Sequence, residues 1–197
     1  MKKPYLSIVV PIHQIPNRDF FLGRLQDSLE MQSFRDFEVV ITENGRMAEN
    51  TNSGIRKAKG DLIKVLFMDD YLSHEDSLQT IVNNFALEDH WLVTGCIHDD
   101  GKMVGMPHVP TTEGLKDNVN TIGSPSTLTF RNEKPLFFDE KMSWMLDVDY
   151  YKRMLALYGE PVILSDLNVI IGIHKNQMSN ILTDEEKLAE ELYIKTN

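Results

Sequence analysis

Cysteine is almost missing from this chain: Cys96 is the single one among 197 residues. That excludes an intrachain disulfide and suits a reducing compartment; in the run WLVTGC it reads as a small buried hydrophobe. Positive charge is also scarce. The 20 lysines and arginines stand against 30 aspartates and glutamates, a formal net charge of −10, which argues against a nucleic-acid or anionic-membrane binder because both need a basic footprint. A small phosphate site stays open, since local charge or a metal suffices for it. No apolar stretch approaches the length that spans a bilayer. The amino-terminal MKKPYLSIVVPIHQ sets two lysines before an apolar run, but Pro11, His13 and Gln14 interrupt that run too early for a signal peptide. A soluble, cytoplasmic protein is the expectation. Two glycine-rich phosphate loops are absent as well: no GxGxxG follows the first strand, and there is no GxxxxGK[ST]. Phosphate handling would therefore rest on carboxylates and metal.

With 42% hydrophobic residues, the chain reads as one globular domain over 1–197. YLSIVVPIH (5–13) is largely apolar and rich in β-branched residues, as in a strand buried on both faces of a parallel sheet. Phe21, Leu25 and Leu29 recur at four-residue spacing and predict a helix over 19–32. FEVVIT (37–42) is a second strand, followed by the turn Glu43-Asn44-Gly45, a short helix near 52–59 that Gly60 stops, and a third strand LIKVLFM (62–68). A helix over 75–85 and a fourth strand HWLVTGCIH (90–98) complete a β–α alternation that implies a mostly parallel sheet with helices on both faces. Beyond it, Asp100-Gly101 reads as a hairpin turn, 107–121 as a long Pro/Thr/Asn-rich loop, 126–131 as a strand and 145–159 as a helix ending at Gly159. Residues 161–174 read as one or two strands, and 183–196 as an acidic helix with a Thr183/Glu186 capping box.

The most informative residues are Asp69 and Asp70. Two adjacent carboxylates close the apolar strand LIKVLFM, at the carboxyl end where open α/β sheets place ligands. Carboxylate oxygens suit Mg²⁺ or Mn²⁺ shared with a substrate phosphate. The alternative is an acidic turn leading into a helix that Ser73 and Asp76 cap.

Five segments in chain order resemble the family 2 glycosyltransferases, which have the GT-A fold. SIVVPIHQ (7–14) is similar to their opening SVIIPTYN, FEVVITENG (37–45) to FEIIVVDDG, and NSGIRKAKGDLIKVLFMDD (52–70) to NxGIxxAxGxYIxFLDxDD. FDEKMSWMLDVDYYKRM (138–154) resembles FDExxxxxEDxDLxLRL, and HKNQMS (174–179) a closing HxNSxS or HxNQxT. The resemblance implies a metal-dependent inverting transferase that moves a sugar from a nucleotide-diphosphate donor to an acceptor hydroxyl. It implies a nucleotide-sugar-binding half (1–98) and an acceptor-binding, catalytic half (99–197).

By the same resemblance Asp70 holds Mn²⁺ or Mg²⁺, Asp69 contacts the ribose or assists the metal, and His174 reaches the metal or diphosphate. Asp147 is the general base, with Asp149 its rival. Pro11, His13, Glu43, Asn44 and Asn52 belong to the donor pocket. Trp144 faces either a sugar ring or the core, His174 is otherwise a structural strand-end histidine, and Asp147 and Asp149 are otherwise simply first-turn helix acids. The acceptor, whether glycan, lipid-linked or protein, should bind along 101–145 or on a partner surface, with 107–125 as a groove wall; a homo-oligomer is possible.

Departures from the family pattern are Phe67 for its first acidic position, Glu43-Asn44 for Asp-Asp, Leu146 for Glu, Thr51 for Arg, and only six residues between Gly45 and Asn52, where relatives commonly have another strand. These departures support the rival reading, a catalytically silent GT-A domain that binds a nucleotide sugar or glycan or serves assembly. A sugar-phosphate nucleotidyltransferase is disfavoured because SIVVPIHQIPNR lacks the glycine-rich basic loop.

Overall fold

A computed structural model describes residues 2–196. β1 (Leu6–Pro11) is buried at every position, as its unbroken apolar run requires. It pairs in parallel with β2 (Phe37–Thr42) on one side and β3 (Leu62–Val65) on the other. β7 (Leu128–Arg131) runs antiparallel between β3 and β5 (Trp91–Asp99), and β5 pairs in parallel with β8 (Val162–Gly172). β4 (Tyr71–Leu72) closes the far edge against β8, and β6 (Val104–His108) folds back on β5 through the Asp100-Gly101 turn. The eight-stranded order is β2-β1-β3-β7-β5-β8-β4 with β6 beside β5. β1, β2, β3, β5 and β8 share one direction, so the sheet is mostly parallel, and both halves of the chain contribute strands to it.

Helices cover both faces. α1 (Arg18–Glu30) sets Phe21, Leu25 and Leu29 on one layer with Leu6, Ile8 and Val10, and α3 (Ser77–Asn83) adds Leu78 and Ile81. The other layer joins Val9, Ile63 and Val65 to α2 (Met47–Lys57), α4 (Leu146–Tyr158) and α6 (Asp184–Thr196) through Ile55, Tyr150, Met154 and Ile194. The odd and even residues of β1 thus serve opposite layers, which is the period-two pattern of a strand. A single turn, α5 (Met178–Ile181), precedes α6.

Several boundaries differ from the sequence expectation, each for a local reason. α2 begins at Met47, five residues before 52, because Glu49 accepts the Arg46 N–H at 2.8 Å and starts the helix early. Its buried face is polar: Asn50 donates to the Ile12 carbonyl at 2.9 Å, which hides the amphipathic period. No strand lies between Gly45 and Asn52. β3 stops at Val65, since Leu66 to Asp70 turn toward β4. The 161–174 stretch holds one long strand, β8, rather than two, and its register against β5 shifts at Gly95. The 107–121 segment carries a 3-10 turn at Glu113–Asp117 and is tied across its base by Thr111 N–H to the Thr121 carbonyl at 2.9 Å. Among the described residues, no helix is long and apolar enough to cross a membrane.

The seam between α2 and β1 is tight at Gly54, where a Cβ would lie 2.3 Å from Val9 Cγ1. Gly54→Ala gains helix propensity, but the overpacking, about 1–3 kcal/mol, outweighs it. A lower urea midpoint is the expected result, and an unchanged or raised midpoint would contradict this packing.

Candidate active site

The carboxyl ends of β1, β3 and β8 open into one cavity of about 790 Å³, the position that open α/β sheets reserve for ligands. His13, Gly45, Asp69, Asp70, Asp147 and His174 all line it, so one space receives residues from all five of the segments quoted above. Among the described residues, Arg46 is the only lysine or arginine that lines it.

The Asp69-Asp70 turn is held from three sides. The Asp70 N–H returns to the Phe67 carbonyl at 3.0 Å, and β4 locks the outgoing chain against β8. Asp70 is 2% exposed. One of its carboxylate oxygens accepts the Gly172 N–H at 2.9 Å, and the other lies 3.3 Å from the Ser124 hydroxyl. The Ser126 hydroxyl also bonds it. Burial, then the neighbouring Asp69, raises the Asp70 carboxyl well above the usual carboxylate range, against those hydrogen bonds. Gly172 is required here: a Cβ on it would stand 2.4 Å from the Asp69 carbonyl oxygen.

Asp69 turns the other way. Its Oδ2 lies 2.9 Å from His174 Nε2. The Asn176 N–H points at His174 Nδ1 from 3.2 Å, so the neutral ring carries its proton on Nε2 and donates it to Asp69. The imidazole also packs on the Phe21 ring at 4.8 Å between centroids. Behind the turn, Arg24 reaches the Asp69 carbonyl at 3.4 Å, pairs with Asp99 at 2.6 Å and lies over the Tyr71 ring at 4.3 Å. Arg24 escapes a sequence reading because nothing in the α1 period separates it from a solvated helix charge.

Asp147 stands in the first turn of α4. Its carboxylate accepts the Val148 N–H at 2.7 Å and the Asn120 side-chain amide at 2.6 Å. Burial pushes its carboxyl up to about 6; those hydrogen bonds oppose the shift and Glu190 adds to it. Asp149, the sequence rival, lies outside the cavity lining and binds Arg153 one turn along the helix at 2.5 Å. Glu190 on α6 receives the Ser143, Trp144 and Met145 N–H groups, each at 2.8 Å. One carboxylate thus satisfies the chain that leads into α4. Trp144 lines the cavity and also packs on the core.

The remaining expected donor residues divide. His13 lines the cavity, donates its N–H to Met68 Sδ at 3.2 Å, and has a buried Nε2 with no partner among the described residues. Burial lowers its imidazole, with Asp69 partly opposing. Pro11, Glu43 and Asn44 lie outside the lining, where Gly45, Arg46 and Met47 stand instead. Glu43 is an exposed rim residue bound by Gln14 and, at 3.1 Å, by Arg18. Asn52 is turned away: its amide donates to the Phe138 carbonyl and to Glu140, both at 2.9 Å, and accepts the Phe138 N–H at 2.8 Å. It braces α2 against residues 138–140 and has no polar group left for a donor. The expected loop wall is present through Asn118, Asn120, Ser124 and Pro125.

Among the described residues, no group of three His, Cys, Asp or Glu side chains is gathered as for a self-contained metal site. Asp69 and His174 form a two-donor set. Such a set fits a hard cation whose remaining positions come from substrate phosphate and water, once the Nε2 proton is displaced.

Solved structures share this architecture. The first 349 residues of S. aureus TarS, in complex with UDP-GlcNAc, superpose with a TM-score of 0.68 at 16% identity, over 94% of this chain and 63% of that one. The same TarS fragment with UDP gives 0.62 at 17% identity, over 86% and 61%. The mannosyltransferase PcManGT from Pyrobaculum calidifontis, in complex with GDP-Man and Mn²⁺, gives 0.64 at 11% identity, over 89% and 59%. No protein-family model and no curated protein sequence matches the chain. The likeness is one of fold: the chain has the GT-A-type glycosyltransferase fold. It spans about 60% of the length of these neighbours.

Glu190→Ala leaves three backbone donors at the entrance to α4 without their acceptor. A stability loss of about 1–3 kcal/mol per buried group left unsatisfied, reduced where water reaches in, is expected as a lower urea midpoint. Glu190→Gln should retain part of it; equal loss in both variants would assign the effect to charge instead.

Proposed function

We propose that this chain is a glycosyltransferase that moves a sugar from a nucleoside-diphosphate donor to an acceptor hydroxyl with inversion at the anomeric carbon. The observation that carries the reading is the convergence of the Asp69–His174 pair and Asp147 on one cavity at the carboxyl end of the sheet. The fold neighbours crystallised with UDP-GlcNAc and with GDP-Man support the donor class.

In this reading Asp69 and His174 are the residues that would hold Mn²⁺ or Mg²⁺ beside the donor diphosphate. A divalent cation there would offset the charge that gathers on the departing diphosphate. This departs from the sequence expectation for Asp70, whose carboxylate is spent on Gly172 and two serines and serves to fix the turn. His13, which lines the cavity, stands on the side where the nucleoside would lie, and Glu43 close by would reach the base only by leaving Gln14 and Arg18. Asp147 takes the proton of the acceptor hydroxyl as its oxygen bonds to the anomeric carbon. The bond from that carbon to the phosphate oxygen breaks on the opposite face, and its electrons leave with the nucleoside diphosphate. The acceptor enters between the 118–125 wall and Trp144.

A general base works only when ionised, so the carboxyl at about 6 sets the direction of the pH dependence: turnover rises with pH through about 6 and is lost below it. The test is release of nucleoside diphosphate from UDP- and GDP-sugars with Mn²⁺ and a panel of hydroxyl acceptors. Asp147→Asn should lower turnover by roughly 10²–10⁴-fold while nucleotide affinity stays nearly constant. Nucleotide binding without turnover for any donor–acceptor pair would favour a silent binding domain. An unaltered Asp147→Asn enzyme would remove the base.

A further inference from the structure

The acceptor side of the cavity has a chemistry that the proposed reaction leaves open. The 118–125 wall, the entrance to α4 and the single turn α5 all line the cavity with Asp147. Lys187 ties α5 to Trp144: its Nζ donates to the Ser179 carbonyl at 2.8 Å and lies 5.8 Å from the centre of the Trp144 ring. Each of these segments brings an apolar side chain. Val119, Trp144, Met178 and Ile181 line the cavity, and Val119 and Ile181 are 52% and 59% exposed. Exposed aliphatic groups in a cavity wall favour a ligand that takes them out of water.

Most of the polar side chains in the same segments are already engaged. Asn120 donates to the Asp147 carboxylate at 2.6 Å and to the Gly123 carbonyl at 3.1 Å, and its oxygen accepts the Ile122 and Gly123 N–H groups. Asn118 accepts Lys152 Nζ at 2.6 Å. Ser124 bonds Asp70 and accepts the Ser126 N–H at 3.2 Å. Gln177 donates to the Gly172 carbonyl at 2.8 Å and accepts the His174 N–H at 3.4 Å. Arg46, the lining cation, donates to the Glu140 carbonyl at 2.6 Å. A polyhydroxylated acceptor loses hydrogen bonds to water on entry and needs replacements that these groups do not offer. An anionic acceptor would meet one cation against Asp69, Asp70 and Asp147.

We propose that the acceptor is an alcohol whose hydroxyl is carried on an apolar body, aryl or alkyl, which covers Val119, Trp144, Met178 and Ile181 while the hydroxyl meets Asp147. The role of the hydroxyl rests on the glycosyl-transfer reading; the apolar body rests on the lining alone.

The test compares benzyl alcohol, octanol and maltotriose. Binding is measured by calorimetry with Mn²⁺ and UDP or GDP present, and transfer is measured from UDP-GlcNAc and GDP-Man. One of the apolar alcohols should bind at least about tenfold tighter than maltotriose, and the better of the two tells an aryl from an alkyl body. The double variant Val119→Ser/Ile181→Ser, changed only at exposed positions, should weaken that alcohol at least about fivefold. Transfer should follow the same order. Tighter or equal binding of maltotriose, no binding of either alcohol, or alcohol binding that the double variant leaves intact would overturn the proposal. Should no nucleotide bind and no sugar be transferred, the glycosyl-transfer reading fails, and alcohol binding to the chain alone, with the same variant, decides the apolar site.

Discussion

The hydrogen bond from the Gly172 N–H to the Asp70 carboxylate joins two chain segments 102 residues apart, and the site depends on it. It pins the end of β3 to the end of β8. The contact exists because Gly172 lacks a Cβ, which lets the Asp69 carbonyl come close. Once the turn is pinned, both aspartates line the cavity, Asp69 as the more open of the two and Asp70 almost fully buried. Two adjacent aspartates thereby take different partners, Asp69 the His174 ring and Asp70 the Gly172 backbone. A carboxylate buried as deeply as Asp70 is stable only with several donors around it, and the backbone of Gly172 and the hydroxyls of Ser124 and Ser126 supply them.

The same division explains how much of the site was legible in the sequence. β1 and β2 were readable because one is apolar throughout and the other ends in a glycine turn. The carboxylate pair was readable as a site because it follows an apolar strand. Which aspartate is buried was not, since that depends on Gly172, a residue of another segment. The start of α2 was hidden because its buried face is built of Ala48, Asn50, Thr51 and Asn52, polar groups whose partners lie far along the chain. The antiparallel β7 carries no sequence mark of its direction. Glu190 reads as one more acid on an acidic helix until its three backbone donors are seen.

The departures from the family pattern acquire physical content in this light. Phe67 replaces a carboxylate but lines the cavity and donates its N–H to Ser126, so that position works through its backbone. Leu146 replaces an acid and is buried in the layer beneath α4. Neither change reaches Asp69, His174 or Asp147. Asn52 keeps the family's residue, yet its amide is fully committed to Phe138 and Glu140, so a matched residue here serves packing. Of the expected donor residues, His13 and Asp69 line the cavity, whereas Pro11, Glu43, Asn44 and Asn52 do not.

The central claim, that a nucleoside diphosphate and a divalent cation meet at Asp69 and His174, is tested most directly by crystals grown with Mn²⁺ and either UDP or GDP. Anomalous scattering from manganese would then locate the ion. The account predicts one peak bound by Asp69 and the diphosphate, with His174 beside it and Asp70 still bonded to Gly172. A peak on Asp70 with Gly172 released, or an ordered nucleotide elsewhere on the molecule, would contradict it.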